Sequence, residues 1–141
     1  MSGEAPRPAA GRPDADAAAD NRLVRTFAEL RAAGRQTLLP FLTAGYPDLA
    51  ATEALLHDWE ARGVRVMELG IPFSDPIADG PTIQASYTHA LGAGVRPAGI
   101  FEMLARYRRA GGAMAINAMV SYSIVYRRGV AAFFDAAAAA G

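Results

Sequence analysis

A parallel α/β fold is predicted by three observations. Apolar runs of strand length alternate with segments whose apolar residues recur at three- and four-residue steps. Glycines punctuate the changes from one to the other, and 52% of the residues are hydrophobic, enough to build one core. Strand and helix in strict alternation imply parallel pairing with right-handed crossovers, which suits either a closed barrel or an open sheet.

Residues 1–19 hold Ala, Pro, Gly, Asp and scattered Arg, with no large apolar side chain after Met1, and read as a disordered tail. From Asp20 the pattern is helical: Leu23, Val24, Phe27 and Leu30 share a face, and Gly34 is the stop. Thr37 to Thr43 reads as a buried strand with Leu39, Phe41 and Thr43 on one side, although Pro40 suits only an edge or a bulge. Asp48 then caps a helix to about Arg62 that turns Leu49, Leu55, Leu56 and Trp59 inward and ends at Gly63.

The second strand begins at Val66, and side-chain alternation puts Met67, Leu69 and Ile71 on one face and Val66, Glu68 and Gly70 on the other. Glu68 is thus a carboxylate within an apolar strand, where it needs a partner or must be held neutral. The loop that follows Pro72 supplies no Lys or Arg, only further acid at Asp75 and Asp79. Acids gathered at the carboxyl end of a parallel strand are the usual layout of an α/β active site. Taken singly, Glu68 reads equally well as a structural hydrogen-bond partner, and the loop acids as turn formers or a helix cap.

Beyond the loop, Pro81 to Leu91 and Pro97 to Ala110 read as helices, the second with Ile100, Phe101, Leu104 and Tyr107 on one face. Met114 to Tyr122 reads as the third strand, and Val130 to Ala140, rich in Ala, as the last helix.

Composition narrows the chemistry. With 14 basic and 14 acidic residues the formal net charge is zero, which gives no electrostatic reason to seek nucleic acid or an anionic membrane. The absence of Cys excludes disulfides, thiol chemistry and Cys-ligated zinc. Every basic residue is Arg, so no lysine is available for a Schiff base. His57 and His89 stand apart from any second ligand and read as surface or packing residues, so no metal site is expected. No run approaches the roughly 20 apolar residues of a membrane span, no secretory signal is evident, and the expected address is cytoplasmic.

The string ELGIPFSDPIADGPTIQ, Glu68 to Gln84, resembles the signature of the tryptophan synthase alpha subunit, and a match this long is far more specific than a short glycine motif. The resemblance implies a (β/α)8 TIM barrel, of which residues 20–141 form the amino-terminal part: a helix and roughly the first three βα units. A whole barrel takes about 250 residues. It further implies a lyase that splits indole-3-glycerol phosphate into indole and glyceraldehyde 3-phosphate by general acid/base catalysis. Glu68 matches the family's acid/base and Asp79 its second catalytic carboxylate, which accepts the indole N–H. Phe41 and Met119 match positions lining the substrate pocket. Asp75 and Pro76 fall in the loop that meets the beta subunit, the partner of an α2β2 tetramer and the holder of pyridoxal phosphate; no cofactor is expected in this chain. The run SYSIVYRRG departs from the family, which commonly carries an aromatic at the position of Ser121. The family's phosphate-binding loops, after strands seven and eight, are not among these residues. A second reading is therefore a non-catalytic fragment that at most binds a partner chain, and a third is another barrel enzyme that uses a Glu and Asp pair.

Overall fold

The computed structural model describes residues 21–141; the tail expected over residues 1–19 lies outside them, as does Asp20. Three strands, β1 (Phe41–Thr43), β2 (Val66–Gly70) and β3 (Ala115–Met119), form one parallel sheet in the order β1-β2-β3. Around it lie α1 (Arg22–Ala32), α2 (Leu49–Ala61), α3 (Pro81–Gly92), α4 (Pro97–Arg109), α5 (Tyr122–Arg128) and α6 (Val130–Ala140).

The two faces of β2 have different fates. Met67, Leu69 and Ile71 are no more than 1% exposed and meet Leu56 of α2 and Ile100, Met103 and Tyr107 of α4 in the main core. Burial of each such side chain stabilises the fold by about 1.5–3 kcal/mol, so the helical layer over this face fixes the register of the strand. Two polar contacts tie α2 to α4: Arg106 pairs with Glu53 at 2.8 Å, and the Tyr107 hydroxyl donates to Glu60.

The other face carries rows set by the register: Val66 beside Ala115, then Phe41, Glu68 and Asn117, then Thr43, Gly70 and Met119. At the amino-terminal end, where α1 packs against β3, Val66 and Ala115 are fully buried. Arg65, just ahead of β2, pairs with Glu29 of α1 at 2.8 Å. Nearer the carboxyl end the face opens: Phe41, Glu68 and Met119 are half-buried and Asn117 is exposed.

Caps follow the chain's chemistry. The Asn21 side chain accepts from Leu23 and Val24, Asp48 accepts from Ala51 at 2.7 Å, and Pro81 takes the first position of α3 after Gly80. Gly34 and Gly63 adopt positive φ just past the ends of α1 and α2.

Three expectations are corrected. The first strand is three residues long rather than seven: Thr37 to Leu39 lie outside the ladder, Leu38 is 74% exposed, and Pro40 enters only through its carbonyl, which accepts from Glu68 N–H. The third strand stops at Met119, because Ser121 opens α5, an unexpected helix that buries Val125 and leaves Tyr122 exposed. The apolar face of α1 buries Leu30 and Thr26 but leaves Val24 and Phe27 over 40% exposed.

Candidate active site

Glu68 stands at the centre of the open face. Its register neighbours are Phe41 on β1 and Asn117 on β3, and the Asn117 amide donates to Glu68 Oε1 at 3.3 Å. The carboxylate is therefore not sealed among apolar side chains, as its strand context suggests; it is half-buried, and one oxygen is satisfied by an amide. Asn117 escaped the sequence reading. The signal was present, since it is a polar residue inside an otherwise apolar strand, as Glu68 is.

One row further toward the carboxyl end, Gly70 keeps its side of the strand bare, and two groups use that space. A Cβ on Gly70 would lie 2.5 Å from the tip of the Phe41 ring and 2.7 Å from the Tyr87 hydroxyl. Phe41 and Tyr87 therefore converge over Gly70, on the face that carries Glu68. Tyr87 reaches this point from α3, which is held to β1 by a 2.7 Å hydrogen bond between Thr43 and Ser86, both buried.

Asp79 comes in from the loop between β2 and α3. Gln84 holds that loop, its amide donating to the carbonyls of Asp79 at 2.7 Å and Pro76 at 3.2 Å, while Asp79 N–H donates to Pro76 at 3.1 Å. Asp79 thereby lines a small cavity of about 180 Å³ with Tyr87, Met119, Phe73, Ile71 and Ser121. Burial, and then the Asp79 charge, push the Tyr87 phenol above its ordinary range, so Tyr87 stays a neutral donor beside an anion.

Phe41 thus stands beside Glu68, Met119 shares a row with Gly70, and Asp79 meets Met119 and Tyr87 in the cavity. Asp75 is separate: its carboxylate accepts from the Ser74 hydroxyl at 2.6 Å and lies on a wider groove of about 750 Å³ with Arg96, Ile124, Arg127 and Arg128. Pro76 is half-buried, and the next residue, Ile77, is 93% exposed. Ser121, where the family commonly carries an aromatic, lines the cavity, and its neighbour Tyr122 is exposed and does not.

A half-buried carboxylate on the open face of a parallel strand, with a second carboxylate in the loop that leaves the same strand, is a candidate acid/base pair in a fold of the (β/α)8 class. Among the described residues no three of His, Asp and Glu cluster as metal ligands would.

The comparisons with known proteins give this class a family. The family model for the tryptophan synthase alpha chain matches residues 27–141. The tryptophan synthase alpha chain of Xanthomonas oryzae pv. oryzae (strain PXO99A) is 47% identical over 115 residues, 82% of this chain and 43% of that protein. That of Laribacter hongkongensis (strain HLHK9) is 46% identical over 121 residues, 86% of this chain and 46% of that one. Among solved structures, tryptophan synthase subunit alpha from Legionella pneumophila str. Paris superposes with a TM-score of 0.82 at 33% identity, covering 86% of this chain and 46% of that one. Tryptophan synthase from M. tuberculosis in its aminoacrylate-bound form gives 0.77 at 37% identity, with 86% and 49% covered.

The chain belongs to the tryptophan synthase alpha chain family, whose members are lyases of tryptophan biosynthesis with a TIM-barrel fold. It spans under half the length of the relatives it matches, and its three parallel strands agree with the first βα units of that barrel.

Proposed function

We propose that these residues form the proton-transfer face of a barrel that cleaves indole-3-glycerol phosphate to indole and glyceraldehyde 3-phosphate. The observation that carries this reading is the pair of carboxylates: Glu68 on the open face and Asp79 brought over the same strand ends by the Gln84-anchored loop. Breaking the bond between indole C3 and the glycerol chain requires a proton delivered to C3 and one removed from the glycerol hydroxyl. Glu68 performs this exchange, with one oxygen held by Asn117 and the other turned to substrate. Asp79 accepts the indole N–H and stabilises positive charge as the ring is protonated. Phe41 and Met119 bound the aromatic pocket. No lysine stands among these 141 residues, so this face itself supplies no amine to form an imine.

The partner is a beta subunit, in an α2β2 assembly whose pyridoxal phosphate resides in that subunit. The loop at Asp75 and Pro76 supports this, since Ile77 projects from it almost fully exposed and the adjoining groove carries the cations Arg96, Arg127 and Arg128. The proposed setting is the cytoplasm; no described helix is long and apolar enough to cross a membrane.

The test is Glu68→Gln in the complete barrel that carries this chain. The amide keeps the shape and loses the proton, so turnover falls by at least about 10²-fold while substrate still binds. Turnover within a few fold of the parent would remove Glu68 from the role.

A further inference from the structure

Tyr87 has no part in the mechanism above, yet its hydroxyl lies over the same face of the sheet as Glu68. It stands over Gly70 beside the tip of Phe41, on the face of Glu68, and it lines the cavity shared by Asp79 and Met119. The residue is 3% exposed, so the phenol is committed to this position rather than to solvent. Among the described residues its hydroxyl makes no hydrogen bond, and it is not one of the sealed polar atoms, because it opens onto the cavity. Asp79 acts on it through charge and not through a shared hydrogen bond. A neutral phenol in such a place is a hydrogen-bond donor presented to whatever enters the cavity.

We propose that Tyr87 is a substrate-contacting residue of this site, donating a hydrogen bond to an oxygen of the hydroxylated three-carbon chain of the substrate. The inference rests on the lyase reading above. The chemistry selects the partner: the walls at Ile71, Phe73, Met119 and Val120 are apolar and suit the ring, whose N–H is a donor already assigned to Asp79. The acceptors left to a phenolic O–H are the oxygens of the chain. Placement over Gly70, one row from Glu68, puts this donor beside the group that exchanges the glycerol proton. Tyr87 thereby orients the chain toward Glu68 while Asp79 holds the ring.

The experiment uses the complete barrel in the Glu68→Gln background, where substrate binding is measured by calorimetry without turnover, with and without Tyr87→Phe. Phenylalanine keeps the ring, and the hydroxyl holds no described residue, so the two proteins melt at the same temperature. The expected result is a three- to tenfold weaker affinity for indole-3-glycerol phosphate, roughly the worth of one hydrogen bond, with affinity for free indole unchanged. Indole has no oxygen and serves as the control. Equal affinity for the substrate in both proteins overturns the proposal and leaves the lyase reading standing. Equal weakening toward indole also overturns it, since the loss would then be one of packing. Failure of the Glu68→Gln barrel itself to bind the substrate removes the lyase reading, and the Tyr87 proposal with it.

Discussion

At the scale of single residues, the site depends on one bare position. Gly70 is required not for its backbone angles but for the space above it, since any Cβ there would stand within 3 Å of Phe41 and Tyr87. Gly70→Ala is therefore expected to cost about 1–3 kcal/mol by overpacking and to displace Phe41 from beside Glu68. A melting temperature and a turnover number that both match the parent would contradict this. Asp79→Asn tests the second carboxylate by two routes. Turnover should fall about 10²-fold or more, the usual effect of losing one preorganised electrostatic group. Independently, the Tyr87 phenol, raised by burial and by the Asp79 charge, should titrate at lower pH in the variant, as followed by NMR of labelled tyrosine. An unmoved Tyr87 would mean that the two groups are not neighbours.

The residues of the site were legible in the sequence to differing degrees. Glu68 and its face followed from alternation alone, because Met67, Leu69 and Ile71 had to be buried together. Asp79 was visible as a loop acid, but its direction depended on Gln84, whose bonds to Asp79 and Pro76 span five and eight residues and leave no local pattern. Tyr87 was hidden among ordinary helix residues. Nothing local says that a tyrosine of α3 will reach across Gly70, which is a property of how α3 docks on β1.

At the scale of elements, the helices and their caps were the clearest part of the reading, and strand ends the weakest. The run from Val120 to Tyr122 reads as the end of the third strand, yet Ser121 starts a helix there and Val125 is buried with Phe101 and Phe133. Tertiary packing overrode propensity in that segment. The junction of α2 and α4 offers a test of the layer beneath the site. Glu60 accepts from the Tyr107 hydroxyl and from Ala113 N–H at 2.8 Å. Burial works against its charge, but these donors prevail and hold the carboxyl below its ordinary range, while burial and Glu60 together raise the Tyr107 phenol. A carboxylate depressed in the folded state contributes stability that is fully present above its unfolded value and lost as pH falls through the folded one. The parent should therefore exceed Glu60→Gln in melting temperature at neutral pH, with the gap closing in acid. Tyr107→Phe should cost about 1.5–3 kcal/mol, the range for a hydrogen bond to a charged group. A gap between parent and Glu60→Gln that does not depend on pH would assign the effect to packing instead.

At the scale of the whole molecule, the sheet is open on both sides. Since the order is β1-β2-β3, each outer strand has one neighbour among the described residues, so the sheet has two free edges. Apolar surface is exposed as well: Leu38, Leu39, Phe27 and Val24 are all over 40% exposed, and Phe41 and Met119 are half-buried. Free edges and apolar faces of this kind template association. The 141-residue chain by itself is expected to self-associate at micromolar concentration and to release no indole. A monodisperse monomer by light scattering, melting cooperatively, would contradict the first expectation.

We propose that this face of three strands performs the proton transfers of indole release. The most direct test is a barrel whose first units are residues 21–141 of this chain and whose remaining units come from the Laribacter hongkongensis alpha chain, assayed for indole formed from indole-3-glycerol phosphate. The chimera is expected to release indole, and to lose that release on Glu68→Gln with its melting temperature unchanged. A folded chimera that releases no indole, or one whose release survives Glu68→Gln, would contradict it.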